Sequence, residues 1–146
     1  MRLTIAVLFA LLAALPVRAQ DTTAKPYPTP VEGDYVARDF VFATGDTLRE
    51  LRIHYTTLGT PVRDAKGRVR NAVLVMHGTT GDGHGFLSPT FAGHLFGAGQ
   101  LLDATKYYII LPDGIGHGKS SRPSEGLHMR FPKYSYDDMV RAQYRL

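Results

Sequence analysis

Two short apolar runs, each followed closely by a glycine-rich polar loop, dominate the hydrophobic pattern of this chain. The first covers residues 72–76 (AVLVM) and the second covers residues 107–111 (YYIIL). Both are too short to span a membrane and are rich in β-branched or aromatic residues, so each predicts a strand buried on both faces. The segment between them has the length of a crossover connection, which predicts that the two strands are parallel and either adjacent or separated by one neighbour.

An alternating pattern precedes the first apolar run. Residues 36–44 (VARDFVFAT) and residues 48–58 (LRELRIHYTTL) alternate between apolar and polar positions. Gly45 and Asp46 stand between them and are typical turn formers, so the pattern predicts a β-hairpin. The charged residues 61–70 that follow predict an exposed loop.

Two helices are predicted on either side of the second apolar run. Within residues 86–104 we expect a short, interrupted helix with one apolar face, formed by Phe91, Leu95, Phe96, Leu101 and Leu102. Further on, Ser135 and Asp138 have the spacing of a capping box. A helical repeat follows, formed by Tyr136, Met139, Val140 and Tyr144. No stop signal closes this helix before Leu146, so we expect the natural chain to continue.

The first residues have the pattern of an export signal. Arg2 precedes an almost wholly apolar stretch at residues 3–15, and Ala19 offers the small residue that signal peptidase requires. We therefore predict a signal peptide over residues 1–19, and an exported protein, periplasmic or secreted, with no stable membrane association after cleavage. An uncleaved membrane anchor is the alternative, although the apolar stretch is short for one. Residues 20–35 predict an extended N-terminal segment, which leaves residues 36–146 as the domain.

Charge and cysteine content exclude two classes of function. Removing Arg2 and Arg18 with the signal peptide takes the 17 basic residues to 15, against 13 acidic ones, for a net charge of about +2. That balance gives no basis for nucleic-acid binding. The chain has no cysteine, so disulfides and thiol catalysis are excluded.

The loop at residues 113–120 (DGIGHGKS) ends like a phosphate-binding loop but fails the spacing. The pattern G-x-x-x-x-G-K-[ST] needs glycine at the position of Asp113, and G-x-G-x-x-G fails in both loops. Asp82 with His84, and Asp113 with His117, are candidate metal-ligand pairs, but no helical histidine pair or cysteine completes either set. We predict no cofactor and no metal. His77 and His117 are expected to brace their loops by hydrogen bonds to backbone groups.

The two loops together resemble those of the α/β-hydrolase fold. The pattern D-x-x-G-x-G-x-S follows one apolar run, and His77-Gly78 ends the other. The resemblance implies that the backbone N–H of Thr79 is one donor of an oxyanion hole. An ordinary loop residue is the alternative for Thr79. The resemblance also implies seven residues that shape the supporting loops: His77, Gly78, Asp113, Gly116, His117, Gly118 and Ser120.

A closer resemblance is to homoserine O-acetyltransferase and its relatives. It is carried by residues 77–84 (HGTTGDGH), residues 102–107 (LDATKY) and, most specifically, residues 131–143 (FPKYSYDDMVRAQ). The chain has His-Gly where those acetyltransferases usually have His-Ala, and its loop at 113–120 has the general hydrolase form.

The resemblance also implies a nucleophile that these residues lack. The family uses a G-x-S-x-G elbow, followed along the chain by an acid and a histidine. The nearest run here, residues 118–122 (GKSSR), fails at its last position and follows the wrong strand. We therefore expect the nucleophile, acid and base beyond Leu146, and no serine-type turnover by this chain alone.

These observations predict the N-terminal part of an exported α/β-hydrolase-fold enzyme that acts on a small-molecule ester by serine-type acyl chemistry. Homoserine O-acetyltransferase-like acyl transfer is the runner-up, because acetyl-CoA is a cytoplasmic metabolite and the signal peptide predicts export. A non-catalytic α/β binding module is the alternative if the chain is complete. The sequence does not specify the acyl group, the acceptor or the oligomeric state.

Overall fold

A mixed four-stranded sheet forms the centre of the computed structural model, which describes residues 27–146. The strands are β1 (Val31–Val41), β2 (Thr47–Leu58), β3 (Ala72–Leu74) and β4 (Tyr108–Pro112). Their order across the sheet is β1-β2-β4-β3. The predicted signal peptide lies outside the described residues.

The predicted parallel pair is confirmed. β3 and β4 are adjacent and parallel, with Val73 opposite Ile109. The pairing extends past the end of β3, because the N–H of Val75 donates to the carbonyl of Ile110 at 2.9 Å. β2 pairs antiparallel with the other side of β4.

The predicted hairpin is also confirmed, with a longer first strand. β1 begins at Val31 rather than Val36 and pairs antiparallel with β2 along its length. The chain reverses at Gly45, whose φ of +90° suits glycine. The N–H of Phe42 donates to the carbonyl of Asp46 at 2.8 Å and closes the turn.

The helix predicted within residues 86–104 is shorter than expected. The segment contains the end of a 3₁₀ turn (Gly83–Leu87) and then α1 (Pro89–Leu95). The Gln100 side chain accepts from the N–H of Gly97 and donates to the carbonyl of Gly93, both at 2.6 Å, which folds the chain back after α1. Leu101 is therefore off the helix and 79% exposed, so the expectation that it joins one apolar face is wrong.

The capping box of the last helix is confirmed. A 3₁₀ turn (His128–Arg130) precedes α2 (Tyr136–Arg145), and Ser135 is its N-cap. The Asp138 carboxylate accepts from the N–H of Ser135 at 2.9 Å, and from the N–H of Ala43 in the hairpin at 2.9 Å. The cap thus ties α2 to the hairpin as well as starting the helix.

The buried apolar side chains form two clusters. The first lies between the hairpin and α2, and its largest members are Phe40, Phe42, Leu51, Ile53, Ile115 and Phe131. The second lies between the sheet and α1, and comprises Leu58, Ala92, Phe96, Ala104, Ile109 and Leu111.

The expectation that residues 72–76 are buried on both faces is wrong. Val73 and Val75 pack against the second cluster, but Leu74 and Met76 are 45% and 49% exposed. Leu74 and Met76 project from the opposite face to Val73 and Val75, and no element within residues 27–146 buries that face. No helix in the described part of the chain is both long and apolar enough to cross a membrane.

Candidate functional site

The two predicted loops meet at the carboxyl ends of β3 and β4. Because those strands are parallel neighbours, the segments that follow them leave the same edge of the sheet. The N–H of Gly114 donates to Nε2 of His77 at 2.8 Å and joins the loops directly. The His77 and His117 rings lie 5.1 Å apart, centre to centre.

Asp113 holds the two loops together through its buried carboxylate. One oxygen accepts from the N–H of Gly83 at 2.8 Å, and the other accepts from the N–H of Lys119 at 2.7 Å. A Cβ on Gly83 would stand 2.4 Å from the Leu111 carbonyl oxygen, and one on Gly118 would stand 2.0 Å from the Asp113 carboxylate. Glycine is therefore required at both positions, and the clash at Gly118 explains the second glycine of the D-x-x-G-x-G-x-S pattern.

Ser120 supports the same junction and is fully buried. Its Oγ donates to the carbonyl of Asp113 at 2.8 Å and accepts from the N–H of His54 at 2.9 Å. Ser121 is used in the same way, since its Oγ accepts from the N–H of Arg52 at 2.9 Å. Both hydroxyls tie the loop to β2, and no base within residues 27–146 is hydrogen-bonded to either to activate it.

Thr79 is exposed, and the peptide groups on both sides of it are anchored. His77 receives the Gly114 N–H on Nε2, so its proton lies on Nδ1, which donates to the carbonyl of Gly78 at 2.7 Å. The carbonyl of Thr79 lies 2.6 Å from Nε2 of His117. Among residues 27–146, the N–H of Thr79 itself donates to no protein acceptor. As predicted, both histidines bond to backbone groups.

A cleft of about 470 Å³ opens beside this peptide. His77, Gly78, Thr79 and His117 form its polar end. Its other walls come mainly from Met76 and the start of α2, and include Tyr134, Tyr136, Met139, Val140 and Gln143. The sequence reasoning gave Tyr134 no role, yet its hydroxyl lies directly against Gly116. The signal for Tyr134 in the sequence is its place within residues 131–143, the segment that carries the most specific part of the family resemblance.

A second, polar cleft lies on the hairpin side of the loops. Nζ of Lys119 donates to Glu32 at 2.6 Å, and Nδ1 of His54 lies 2.8 Å from Asp34. The hydrogen bond to Glu32 raises the pKa of Lys119, and the same bond lowers the pKa of Glu32.

The members of the two candidate metal-ligand pairs make other contacts. In the predicted pair Asp82 and His84, Asp82 caps the 3₁₀ turn by accepting from the N–H of Gly85 at 3.0 Å. His84 lines the polar cleft. The carboxylate of Asp113 is taken up by the backbone bonds described above. No three His, Asp or Glu side chains of the described residues are placed to hold a metal ion.

Comparison with known proteins places this arrangement in a fold family. No family model matches the chain. A solved acetylester hydrolase from Corynebacterium glutamicum superposes with a TM-score of 0.64 at 26% identity, over 80% of this chain and 32% of that one. The chain therefore has the fold of part of an α/β-hydrolase.

By sequence, the chain is similar to homoserine O-acetyltransferases. The chain is 34% identical over 117 residues to homoserine O-acetyltransferase of Thermobifida fusca, a match that covers 70% of this chain and 30% of that enzyme. It is 31% identical over 126 residues to the same enzyme of Methanohalophilus mahii, over 77% of this chain and 25% of that one. The chain thus spans less than a third of the length of these relatives, which agrees with the N-terminal part of an α/β-hydrolase.

Proposed function

We propose that this chain is the N-terminal part of an exported α/β-hydrolase-fold enzyme that acts on esters by serine-type acyl chemistry, with Thr79 as one backbone donor of its oxyanion hole. The single observation that carries the proposal is the peptide between Gly78 and Thr79. Its carbonyl is held by the His77 ring at 2.7 Å, and its N–H is left without a protein acceptor among the described residues.

A free N–H held in a fixed direction suits the chemistry of acyl transfer. Attack on an ester carbonyl places negative charge on one oxygen, and a fixed N–H aimed at that oxygen is worth about 3–4 kcal/mol in the transition state. A donor of this kind must be held in place before the reaction, and the hydrogen bonds around Thr79 supply such restraint.

The nucleophile of the proposed enzyme lies outside residues 1–146. Ser120 and Ser121 are engaged with β2, and the chain contains no G-x-S-x-G elbow. In this fold the elbow also supplies the second oxyanion donor, from the residue after the serine. The proposal therefore assigns half of the oxyanion hole to this chain and the triad to the rest of the protein.

Acyl transfer is the second candidate, because the sequence relatives named above are homoserine O-acetyltransferases. Ester hydrolysis stays first because residues 1–19 have the pattern of a signal peptide and acetyl-CoA is a cytoplasmic metabolite. N-terminal sequencing of exported protein tests this ordering. A start at Gln20 supports export, and full-length protein retained in the membrane fraction contradicts it.

Active-site labelling tests the proposed chemistry directly. The full-length protein is treated with a fluorophosphonate probe, and the labelled serine is located by peptide mass spectrometry. We expect one labelled serine, outside residues 20–146 and within a G-x-S-x-G sequence. Labelling of Ser120 or Ser121 would overturn the assignment, and a protein that stays unlabelled and inactive on activated esters would favour a binding module.

A second assay separates hydrolysis from transfer. Release of p-nitrophenol from p-nitrophenyl acetate is measured without an acceptor, and release of free CoA from acetyl-CoA is measured with and without homoserine. Ester hydrolysis predicts turnover in the first assay and no homoserine-dependent release in the second. Homoserine-dependent CoA release would establish the acyltransferase instead.

A further inference from the structure

The carbonyl groups on both sides of Thr79 are anchored by side chains from two different segments. The carbonyl of Gly78 accepts from Nδ1 of His77 at 2.7 Å and from the N–H of Gly81 at 3.2 Å. A peptide group is planar, and in the trans form its N–H points away from its C=O. Anchoring the Gly78 carbonyl therefore sets the direction of the Thr79 N–H.

His77 cannot fix this segment alone. It precedes Gly78 directly, and its ring acts on the first peptide only. The second peptide, between Thr79 and Thr80, is exposed and lies just before Gly81, so the local sequence allows it other orientations. The N–H of Thr79 belongs to the first peptide, but the two peptides share the Thr79 Cα, so a displacement of the second peptide would move that Cα and shift the first peptide with it.

His117 is the side chain that restrains this second peptide. Its Nε2 lies 2.6 Å from the carbonyl oxygen of Thr79, although the two residues are 38 positions apart. Hydrogen bonds hold its own loop in place, since the N–H of Lys119 donates to Asp113 and the N–H of His54 donates to Ser120.

We propose that His117 is a positioning residue for the oxyanion donor: its Nε2–H holds the Thr79 carbonyl and thereby keeps the Thr79 N–H aimed into the cleft. His117 itself touches neither substrate nor nucleophile in this role. The inference rests on the proposed function, since it assigns a purpose to the same Thr79 N–H.

Two amide substitutions separate this role from a general structural one. In His117→Gln the side-chain amide nitrogen reaches about as far as Nε2 and can still donate to Thr79. In His117→Asn the amide reaches only about as far as Nδ1 and cannot. Both variants keep a polar side chain of similar character. His94→Asn serves as the control, because His94 is an exposed histidine on α1 outside both loops.

Kinetics of the full-length protein on an activated ester give the first measurement. We expect kcat of His117→Asn to fall about 10- to 100-fold with KM nearly unchanged, because a misplaced donor weakens transition-state stabilisation and leaves substrate binding intact. His117→Gln should recover most of kcat, and His94→Asn should match the wild type. Equal kcat values in the Asn and Gln variants would overturn the proposal, as would a raised KM with unchanged kcat.

A spectroscopic measurement keeps the inference testable if the wild type shows no acyl turnover. In that case the proposed function fails, and nuclear magnetic resonance of the same variants decides the positioning role. The Thr79 carbonyl carbon and amide shifts should change in His117→Asn and stay close to wild type in His117→Gln. Shifts that are the same in all three proteins would overturn the inference.

Discussion

The two flanks of the sheet are built in different ways. On the closed flank, β2, β4 and residues 113–120 bury their polar groups in mutual hydrogen bonds, with Asp113 and Ser120 at the centre. On the open flank, β3, the residues just after it and the outer side of α2 expose large apolar side chains: Leu74, Met76, Tyr136, Val140 and Tyr144. No buried side-chain polar atom of the described residues lacks a partner, so the difference lies in apolar coverage rather than in hydrogen bonding.

The loop that follows β3 and contains Thr79 lies between these flanks. It begins at the end of β3, on the open flank, yet its restraints come from the closed flank through Gly114, His117 and Asp113. The loop therefore owes its geometry to a part of the chain that is already fully packed. The open flank should matter less for that geometry and for stability, because its side chains still contact water.

Removing a leucine from each flank should give the largest difference. Leu111 is fully buried in β4, whereas Leu74 is 45% exposed in β3. We expect Leu111→Ala to lower the free energy of unfolding by about 2–5 kcal/mol, through lost burial and a cavity. The matched change Leu74→Ala should cost less than about 1 kcal/mol. Urea unfolding of the full-length protein measures both. Equal losses would show that Leu74 is covered in the full-length protein and would abolish the contrast.

Replacing one acceptor at the centre of the closed flank should have the next largest effect. Asp113→Asn keeps the shape of the side chain but turns one acceptor oxygen into an NH₂ donor. Each carboxylate oxygen now accepts a backbone N–H, so one donor must lose its partner. We expect a loss of about 2 kcal/mol in the free energy of unfolding. Asp82→Asn, at an exposed turn cap, is the comparison, and an equally large loss there would contradict a special role for Asp113.

Acid should loosen the link between α2 and the hairpin. Burial of Asp138 works to raise its pKa, but hydrogen bonds from Ser135, Arg141 and Ala43 outweigh burial and leave the pKa below the usual aspartate value. A lowered folded-state pKa adds stability above the unfolded value of about 3.9, and that stability is lost as the pH falls below it. The difference in Tm between wild type and Asp138→Asn should therefore shrink from about pH 6 to about pH 3. A difference that stays constant over this range would show that the pKa of Asp138 is not lowered.

The parts of the fold that depend on local pattern could be predicted from the sequence. The hairpin and the Ser135 capping box follow from spacing over a few residues, and the parallel pair follows from the length of the segment between its two strands. The exposure of Leu74 could not be predicted, because an apolar run does not reveal whether other elements cover both faces of its strand. The early end of α1 depends on the Gln100 side chain folding back to Gly93, which no helical pattern encodes.

The candidate site was predictable in its members but not in its connections. The glycines and Asp113 stand in a recognisable order, and Asp113 requires glycine at position 118 because a Cβ there would collide with it. The contact between His117 and Thr79 joins residues 38 positions apart, and it exists only because β3 and β4 are parallel neighbours. Spacing along the chain carries no information on such a contact.

The smallest effect is expected at the rim of the closed flank, where Arg52 binds Glu125. Nη2 of Arg52 lies 3.0 Å from both carboxylate oxygens, but both side chains are more than a third exposed. Nε of Arg52 also donates to the carbonyl of Lys119 at 2.9 Å, a bond that does not need Glu125. Glu125→Gln should therefore cost no more than about 0.5 kcal/mol, and added salt should remove the loss. Urea unfolding at low and high salt measures this, with Glu50→Gln as the control because Glu50 forms no ion pair within residues 27–146. A loss of more than about 1 kcal/mol in the free energy of unfolding that does not depend on salt would contradict this prediction. The closed flank would then owe its stability to its surface as well as to its interior.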